Sequence, residues 1–263
     1  MNEARPGSGP AKFPAVDPSR FVVILVRPVI PENVGLAARG MANTGFRELR
    51  IVGPADLAGK ARVTAVHAGR VLEEAVFFDR LEDALTGLNV VFGSTARKER
   101  GFPLIDLEKT ISRVHEYESG VRFGLVFGNE RTGLTAREMS LTNYRFRMPQ
   151  VGRQPSYNLG VAVTLVLFSL AWRPYPSLGA ARDLPLDHEA QLEAGRRFRE
   201  SLDRLGFMKR TNREFITAKL QDIFMRMTLT AKERDIIQAV FRKAVLAGKR
   251  NEAGNESRTR RKD

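Results

Sequence analysis

The 263-residue sequence contains no cysteine, which excludes disulfide bonds, thiolate metal sites and a cysteine nucleophile. It has only three histidines, His67, His115 and His188, and none of them stands in a metal-ligand pattern. We therefore expect no metal site. Ser156 has no histidine near it in the sequence, so a hydrolase triad is not indicated. The absence of cysteine fits a reducing compartment, and we expect a cytoplasmic protein.

Long apolar runs are also missing. The longest, residues 159–172, is shorter than the roughly 20 residues that a membrane-spanning helix needs. The first twenty residues lack the apolar core of a signal peptide. We expect no membrane association and interpret the run as a fully buried helix. No Gly-x-Gly-x-x-Gly or Walker-type phosphate loop follows a predicted strand, so a Rossmann dinucleotide site is unsupported.

Positive charge, in contrast, is abundant. The chain has 43 lysines and arginines against 30 aspartates and glutamates, a net charge of +13 at pH 7. Such an excess favours a polyanionic partner, and without membrane association that partner is nucleic acid. The alternative is a basic protein with no such partner. Apolar residues form 43% of the sequence, which is enough for a packed core.

Strand-like and helical segments alternate along the first two thirds of the chain, which predicts an α/β fold with a mostly parallel sheet and helices on both faces. The continuous apolar run at residues 21–26 is typical of a buried parallel strand. Further strands are predicted at 49–52, 75–78 and 88–92, before Gly128 and up to Met148, and helices at 32–43, 57–74, 80–85, 106–117 and 159–172.

After residue 173 the strand signals stop and only helical spacing remains. A capping box of Thr230 and Glu233 opens the last predicted helix. The predicted organisation is a flexible arm (1–19), an α/β domain (20–173), a linker (174–187), a helical extension (188–246) and a disordered basic tail (247–263). The outer faces of the extension carry Arg196, Arg197, Arg199, Lys209, Arg210, Arg213 and Lys219.

Polar residues and glycines cluster at predicted strand and helix ends, where open α/β sheets bind ligands. Each also has a purely structural interpretation: Ser156 as a helix cap, Gly133 as a turn residue, Arg39 as the partner of a carboxylate. Helical spacing puts Asn33 and Arg39 within one broad face, although not in strict register. The candidates are Asn33, Arg39 and Asn43, then Gly128, Glu130 and Gly133, then Ser156 and Asn158.

These three groups resemble the motifs of the SPOUT superfamily of RNA methyltransferases, on its TrmH (SpoU) branch. The first motif resembles residues 33–46, the second residues 125–134, and the third residues 148–149 with 155–159. Order and spacing both match over residues 20–173. Within the branch, the sequence Gly-Ser-Thr-Ala-Arg at 93–97 and the helical extension are most similar to TrmJ-type tRNA ribose methyltransferases.

The resemblance implies a trefoil knot in the C-terminal half of the domain, a homodimer joined through long apolar helices, and S-adenosylmethionine as cofactor. It implies catalytic roles for Arg39, Ser156, Asn33 and Glu130. In the family the counterpart of Arg39 is proposed to activate the ribose hydroxyl. Because a guanidinium is a poor base, we expect Arg39 instead to orient the hydroxyl and a phosphate, in its own subunit or across the dimer. The cofactor pocket that it implies is lined by Thr95, Ala96, Gly128, Glu130, Met148, Ser156, Asn158 and Leu159.

The expected function is S-adenosylmethionine-dependent 2′-O-methylation of a ribose in the tRNA anticodon loop, at nucleotide 32, a cytidine or uridine. Alternatives are the same chemistry on ribosomal RNA, or an RNA-binding protein without catalysis. Two departures from the family pattern leave room for a different substrate: Tyr157 where many members carry leucine, and Asn129-Glu130-Arg131 in place of a commoner Arg-Glu pattern.

Overall fold

A seven-stranded parallel sheet forms the centre of the α/β domain. The structure, a computed structural model, describes residues 16–97, 103–117, 119–150, 152, 156–172, 183–208 and 213–259, with burial and side chains up to residue 247. The strands are β1 (Phe21–Val26), β2 (Glu48–Val52), β3 (Val76–Phe78), β4 (Val90–Ser94), β5 (Ile105–Asp106), β6 (Phe123–Phe127) and β7 (Tyr144–Arg147). Their order across the sheet is β3-β2-β1-β6-β4-β7-β5.

Helices cover both faces of this sheet, as predicted. The first face carries α1 (Pro31–Thr44), α2 (Gly59–Ala65), α3 (Gly69–Glu73), α5 (Leu107–Val114) and α7 (Leu159–Trp172); the second carries α4 (Leu81–Ala84) and α6 (Ala136–Met139). Side chains of β1 alternate between two apolar cores, with Phe21, Val23 and Leu25 in the first. The β1 sequence is apolar throughout because both of its faces are covered.

Helices α1 and α7 pack against each other at very short range, and glycine makes this possible. A Cβ atom added at Gly160 would lie 2.4 Å from Leu36 Cβ and 2.8 Å from the carbonyl oxygen of Asn33. A Cβ atom at Gly40 would lie 2.1 Å from Thr164 Oγ1. The two helices can therefore keep this spacing only while both positions lack a side chain.

The prediction that α7 is fully buried is wrong for a single chain. One face packs into the core, but Val161, Leu165, Phe168 and Trp172 are 38–61% exposed. Their spacing of three or four residues places them in one stripe along the helix. Within the described residues, no helix is both long and apolar enough to cross a membrane.

Three local features differ from the sequence-based expectations. The helix predicted at 57–74 is divided into α2 and α3 at Val66, whose φ of 56° is incompatible with a continuous helix. The short edge strand β5 lies in a segment where the sequence pattern predicts no strand. Residues 16–19, assigned to the flexible arm, pack onto the domain: Val16 is buried, and Asp17 caps a 3₁₀ turn at Pro18–Arg20. Residues 1–15 lie outside the described residues.

The helical extension comprises α8 (His188–Arg204), α9 (Arg213–Met227) and α10 (Ala231–Thr259). Helix α10 continues beyond residue 246, through most of the segment predicted to be a disordered tail. The capping box predicted from Thr230 and Glu233 is present at its start, and no proline interrupts the helix. Residues 173–182, within the predicted linker and the end of the preceding domain, lie outside the described residues, as do residues 260–263.

Buried polar contacts fasten this extension to strands β4 and β7. The amide nitrogen of Asn143 donates to Gln191 Oε1 at 2.8 Å and to the carbonyl oxygen of Met225 at 2.6 Å. Its oxygen accepts from the backbone N–H of Val91 at 2.7 Å. On β7 itself, Arg145 pairs with Asp222 at 3.6 Å, and both side chains are buried.

His188 adds a further contact at the start of α8. Its Nε2 atom lies 2.8 Å from the carbonyl oxygen of Leu141, and its backbone N–H donates to Leu88. Burial lowers the pKa of His188, which favours the neutral ring, although the carbonyl of Leu141 opposes that shift. The extension is therefore docked on the domain by groups that would be costly to leave unpaired.

The contact at Gly160 gives a first testable prediction. Gly160→Ala forces a methyl group against Leu36 and the backbone of α1, so we expect the free energy of unfolding to fall by about 1–3 kcal/mol. Chemical denaturation measures this change. The control is Gly69→Ala, because an added Cβ there meets nothing within 4 Å and the φ is ordinary. Equal stability of Gly160→Ala and wild type would contradict the packing argument.

Candidate active site

A cavity of about 420 Å³ opens at the carboxyl edge of the sheet, beyond the ends of β4, β6 and β7. Because these three strands are neighbours, the loops that leave them meet at one place. Residues from four segments line the cavity: Ser94, Thr95, Ala96 and Arg97; Phe127 through Leu134; Arg147, Met148 and Gln150; and Ser156, Tyr157, Leu159 and Ala162.

The loop after β6 is a tight turn that needs glycine at two positions. The backbone N–H of Gly133 donates to the carbonyl oxygen of Asn129 at 2.7 Å, and Gly133 has a φ of 66°. A Cβ atom at Gly128 would lie 2.3 Å from backbone atoms of Gly133 and Leu134. The turn therefore folds back on itself and presents backbone groups to the cavity.

Glu130 anchors this turn to the start of α1. Its carboxylate accepts hydrogen bonds from the backbone N–H groups of Val29, at 3.0 Å, and Ile30, at 3.2 Å, and from Asn33 Nδ2 at 2.9 Å. Burial alone would raise the pKa of Glu130, but these donors outweigh it and the pKa is lowered. An ionised carboxylate held by three donors is suited to fixing the loop and is a weak proton acceptor.

Asn33 extends this contact to the third motif. It is only 3% exposed, and its Oδ1 atom accepts from Asn158 Nδ2 at 2.6 Å. Asn158 in turn caps α7, since its side chain accepts from the backbone N–H of Val161 at 3.2 Å. A chain of side-chain hydrogen bonds, Glu130 to Asn33 to Asn158, therefore joins all three sequence motifs. Neither asparagine is among the residues that line the cavity, and both hold the segments around it in place.

The remaining walls are held by contacts at the ends of β4 and β7. The backbone N–H of Thr95 donates to the carbonyl oxygen of Phe146 at 2.9 Å, and Thr95 Oγ1 accepts from the N–H of Arg97 at 3.1 Å. The Tyr157 hydroxyl, from the third motif, donates to the carbonyl oxygen of Pro149 at 2.9 Å. Tyr157 thus ties the start of the segment before α7 to the segment that follows β7.

Contacts of Arg27 also support the loop after β6. The sequence alone does not reveal them, because their partners are more than 100 residues away in the chain. Arg27 adopts a φ of 51° at the end of β1, and its carbonyl oxygen accepts from Asn129 Nδ2 at 2.8 Å. Its guanidinium makes a two-pronged ion pair with Glu138. Burial raises the pKa of Glu138, but the contacts with Arg27 and Thr135 lower it more. This ion pair buttresses the loop after β6.

Arg39 lies outside the cavity. It is exposed and lines a separate groove between α1 and α7 with Leu36, Val161 and Leu165. A separation of six residues rotates a helix position by about 240°, which explains why Asn33 points inward and Arg39 outward. The expectation that both share one broad face is therefore wrong. Within the described residues, Arg39 makes no hydrogen bond or ion pair, so the interpretation as a carboxylate partner is unsupported.

Seven of the eight residues expected to bind the cofactor line one cavity, all except Asn158. Three lining arginines, Arg97, Arg131 and Arg147, are not among the candidates that the sequence predicts. The only available signal is their position immediately beside motif residues. The proline at 155, part of the third motif, lies outside the described residues.

Known proteins resemble this chain over most of its length. The chain resembles TrmJ of Pseudomonas aeruginosa, a tRNA (cytidine/uridine/adenosine-2′-O-)-methyltransferase, with 29% identity over 238 residues, 84% of this chain and 92% of that protein. TrmJ of Methanocaldococcus jannaschii, a tRNA (cytidine-2′-O-)-methyltransferase, is 31% identical over 153 residues, 56% of this chain and 66% of its own length.

A solved structure matches over nearly the same length. The crystal structure of TrmJ from Z. mobilis superposes with a TM-score of 0.70 and 28% identity, over 85% of this chain and 98% of that chain. The model of the SpoU rRNA Methylase family matches residues 20–168, which include the whole cavity and the groove that holds Arg39. Since that match covers more than half of the chain, this protein belongs to the SpoU rRNA methylase family.

Proposed function

We propose that this protein is an S-adenosylmethionine-dependent tRNA 2′-O-ribose methyltransferase that acts in the cytoplasm on nucleotide 32 of the anticodon loop, a cytidine or uridine. The observation that carries the proposal is the single cavity that gathers the residues of the second and third motifs and the loop after β4. The names of the TrmJ relatives supply the substrate class.

The cavity fits such a cofactor. Gly128 leaves a cradle that a Cβ atom would fill, and the turn to Gly133 offers backbone groups for hydrogen bonding. Met148, Leu159 and Ala162 add apolar contacts for a flat aromatic ring. The bound cofactor supplies a methyl group activated by its sulfonium charge.

The protein's own residues have to position the ribose hydroxyl, and most of the rate should come from that positioning. Arg39 is the candidate, because its guanidinium has no partner among the described residues and can donate to a hydroxyl and a phosphate oxygen together. A guanidinium stays protonated in proteins, so Arg39 orients the hydroxyl and does not act alone as its base.

A homodimer would resolve the separation of Arg39 from the cavity. The exposed apolar stripe on α7 begins at Val161 and Leu165, which also line the groove of Arg39. A second copy packed on this stripe would cover the apolar residues and carry Arg39 toward the partner's cavity. We infer that the active unit is this dimer.

The trefoil knot stays a prediction. Its support is the order of the strands, because the chain passes from β6 across β4 to β7 and then returns to α7 beside α1. Part of that return, residues 153–155, lies outside the described residues.

The helical extension is the proposed additional grip on tRNA. Several of its arginines are engaged locally, since Arg196 and Arg197 pair with Glu193, and Arg213 pairs with Asp203. The hydrogen bonds from Arg196 and then Arg197 lower the pKa of Glu193 to about 2.

The RNA contacts of the extension would therefore come from a smaller set of cations than the sequence suggests. Arg204 and Arg242 are examples, because they are exposed and border one groove between α8 and α10. Lys209 and Arg210 lie outside the described residues.

A second candidate function is methylation of ribosomal RNA, which the description of the family favours. An RNA-binding protein without catalysis is less well supported, because the motif residues Arg39, Glu130, Ser156 and Asn158 are all present. Thermal stabilisation by S-adenosylhomocysteine would separate an enzyme from a cofactor-free binder.

The substrate proposal is tested by mapping ribose methylation in total RNA from cells with and without the gene. We expect the 2′-O-methyl group at tRNA nucleotide 32 to disappear, and purified protein with S-adenosylmethionine to restore it. Loss confined to ribosomal RNA would replace the proposal with the second candidate. Unchanged methylation everywhere would contradict both.

The role of Arg39 predicts a separation of binding from catalysis. Arg39→Ala should lower the single-turnover rate of methyl transfer by about 100-fold or more, because the hydroxyl is no longer oriented. The dissociation constant for S-adenosylhomocysteine, measured by calorimetry, should stay within about twofold of wild type since Arg39 does not line the cavity. Arg47→Ala is the control, another exposed arginine without a described partner. Parallel loss of rate and cofactor affinity would contradict the role.

The dimer proposal predicts a change in molecular mass. Phe168→Asp introduces charge into the exposed stripe of α7, and light scattering should show a shift from dimer to monomer with loss of methyl transfer. Phe77→Asp is the matched control, because both phenylalanines are 48% exposed and Phe77 lies on the far edge strand β3. A dimer that survives Phe168→Asp, or a monomeric wild type, would sink the proposal.

A further inference from the structure

Three arginines line the cavity, each from a different segment of the chain. Arg97 follows β4, Arg131 lies in the turn after β6, and Arg147 ends β7. All three residues line the same cavity and all are exposed. Because β4 is the neighbour of both β6 and β7, the fold brings together three charges that are up to 50 residues apart in sequence.

These guanidiniums have no partner among the described residues, which sets them apart from many other arginines of the chain. Arg62 pairs with Glu73, for example, and Arg70 pairs with Glu74.

Acidic groups near the three arginines offset only part of their charge. Among the described residues that line the cavity, Glu130 alone is acidic, and its carboxylate is already occupied by Asn33 and two backbone N–H groups. With three arginines against one glutamate, the residues that line the cavity carry a net charge of +2.

The proposed cofactor does not account for this charge. S-adenosylmethionine has one carboxylate but also an ammonium and a sulfonium group, so its net charge is positive. One guanidinium could pair with the carboxylate, whereas three around a cationic ligand would repel it. A concave site with an excess of positive charge attracts an extended polyanion most strongly.

We propose that Arg97, Arg131 and Arg147 form a phosphate clamp that holds the RNA backbone on both sides of the nucleotide whose ribose enters the cavity. The inference rests on the proposed function and adds the residues that bind the substrate. A guanidinium binds phosphate oxygens with two parallel hydrogen bonds, so a clamp of three would fix the register of the RNA. It would not read the base, since phosphate contacts position without specifying sequence.

The test compares RNA and cofactor binding in the same full-length variants. Arg131→Gln, Arg147→Gln and the double variant are titrated with an anticodon stem-loop RNA at several salt concentrations and with S-adenosylhomocysteine. Each single replacement should weaken RNA binding about fourfold near 0.15 M salt and reduce the slope of log K against log salt by about 0.7. The double variant should lose about fifteenfold. The affinity for S-adenosylhomocysteine should be unchanged.

Arg47→Gln is the charge-matched control. Arg47 is exposed and immediately precedes β2, so it lies at the opposite edge of the sheet from the cavity. The Arg47→Gln replacement removes the same charge from the molecule as each cavity replacement, and it should leave the salt slope as in wild type. A loss equal to that of the cavity variants would show a general charge effect and overturn the clamp.

Three further outcomes would overturn the inference. If S-adenosylhomocysteine affinity falls while the RNA salt slope is unchanged, the arginines bind the carboxylate of the cofactor. If wild type binds S-adenosylhomocysteine and both cavity variants keep the wild-type slope, the clamp fails and the proposed function stands. Wild type that binds no S-adenosylhomocysteine would instead overturn the proposed function, and the clamp with it.

Discussion

The close approach of α1 and α7 is the constraint on which the site depends. Gly160 and Gly40 let the two helix backbones come within reach, and only at that spacing can Asn33 on α1 bond Asn158 at the start of α7. Asn33 also bonds Glu130, which fixes the turn after β6. A helix contact that looks like simple core packing therefore sets the positions of the loops that form the cavity.

The other side of the cavity depends on a different set of contacts. Strands β4 and β7 form that wall, and Asn143 and Arg145 fasten the helical extension to the same strands through buried amides and an ion pair. Breaking a buried pair is costly because one partner is left without compensation. The extension is thus held in a fixed relation to the cavity, so RNA bound to it would be held in register with the site.

Much of this arrangement could be predicted from the sequence. The strand β1 is apolar throughout, and glycines spaced like Gly128 and Gly133 directly after an apolar run are typical of a tight turn, so the parallel sheet and the loop positions follow from local pattern. The direction of each side chain does not. Asn33 and Arg39 share one helix, yet one is buried and the other exposed, and a hydrogen-bond partner of Asn33, Asn158, is 125 residues away in sequence.

A uniformly apolar helix sequence likewise does not reveal which face of the helix is buried. Helix α7 is apolar on every side, so its sequence cannot say which face meets α1 and which is left bare. Arg27 and Glu138 illustrate the corresponding limit for charge, since an ion pair between distant loops leaves no spacing to detect. Such contacts are specified by the tertiary fold and become visible only once the strands are in order.

In the proposed dimer, the arginines would serve two separate tasks, orientation of the ribose and retention of the RNA backbone. Arg39 sits with the bare face of α7, in a groove that a second copy would cover, whereas Arg97, Arg131 and Arg147 belong to the cavity of their own chain. Orientation of the ribose would then come from one subunit and retention of the RNA backbone from the other. An RNA that met a single chain would find the clamp without Arg39, so dimerisation itself would decide whether binding leads to methyl transfer.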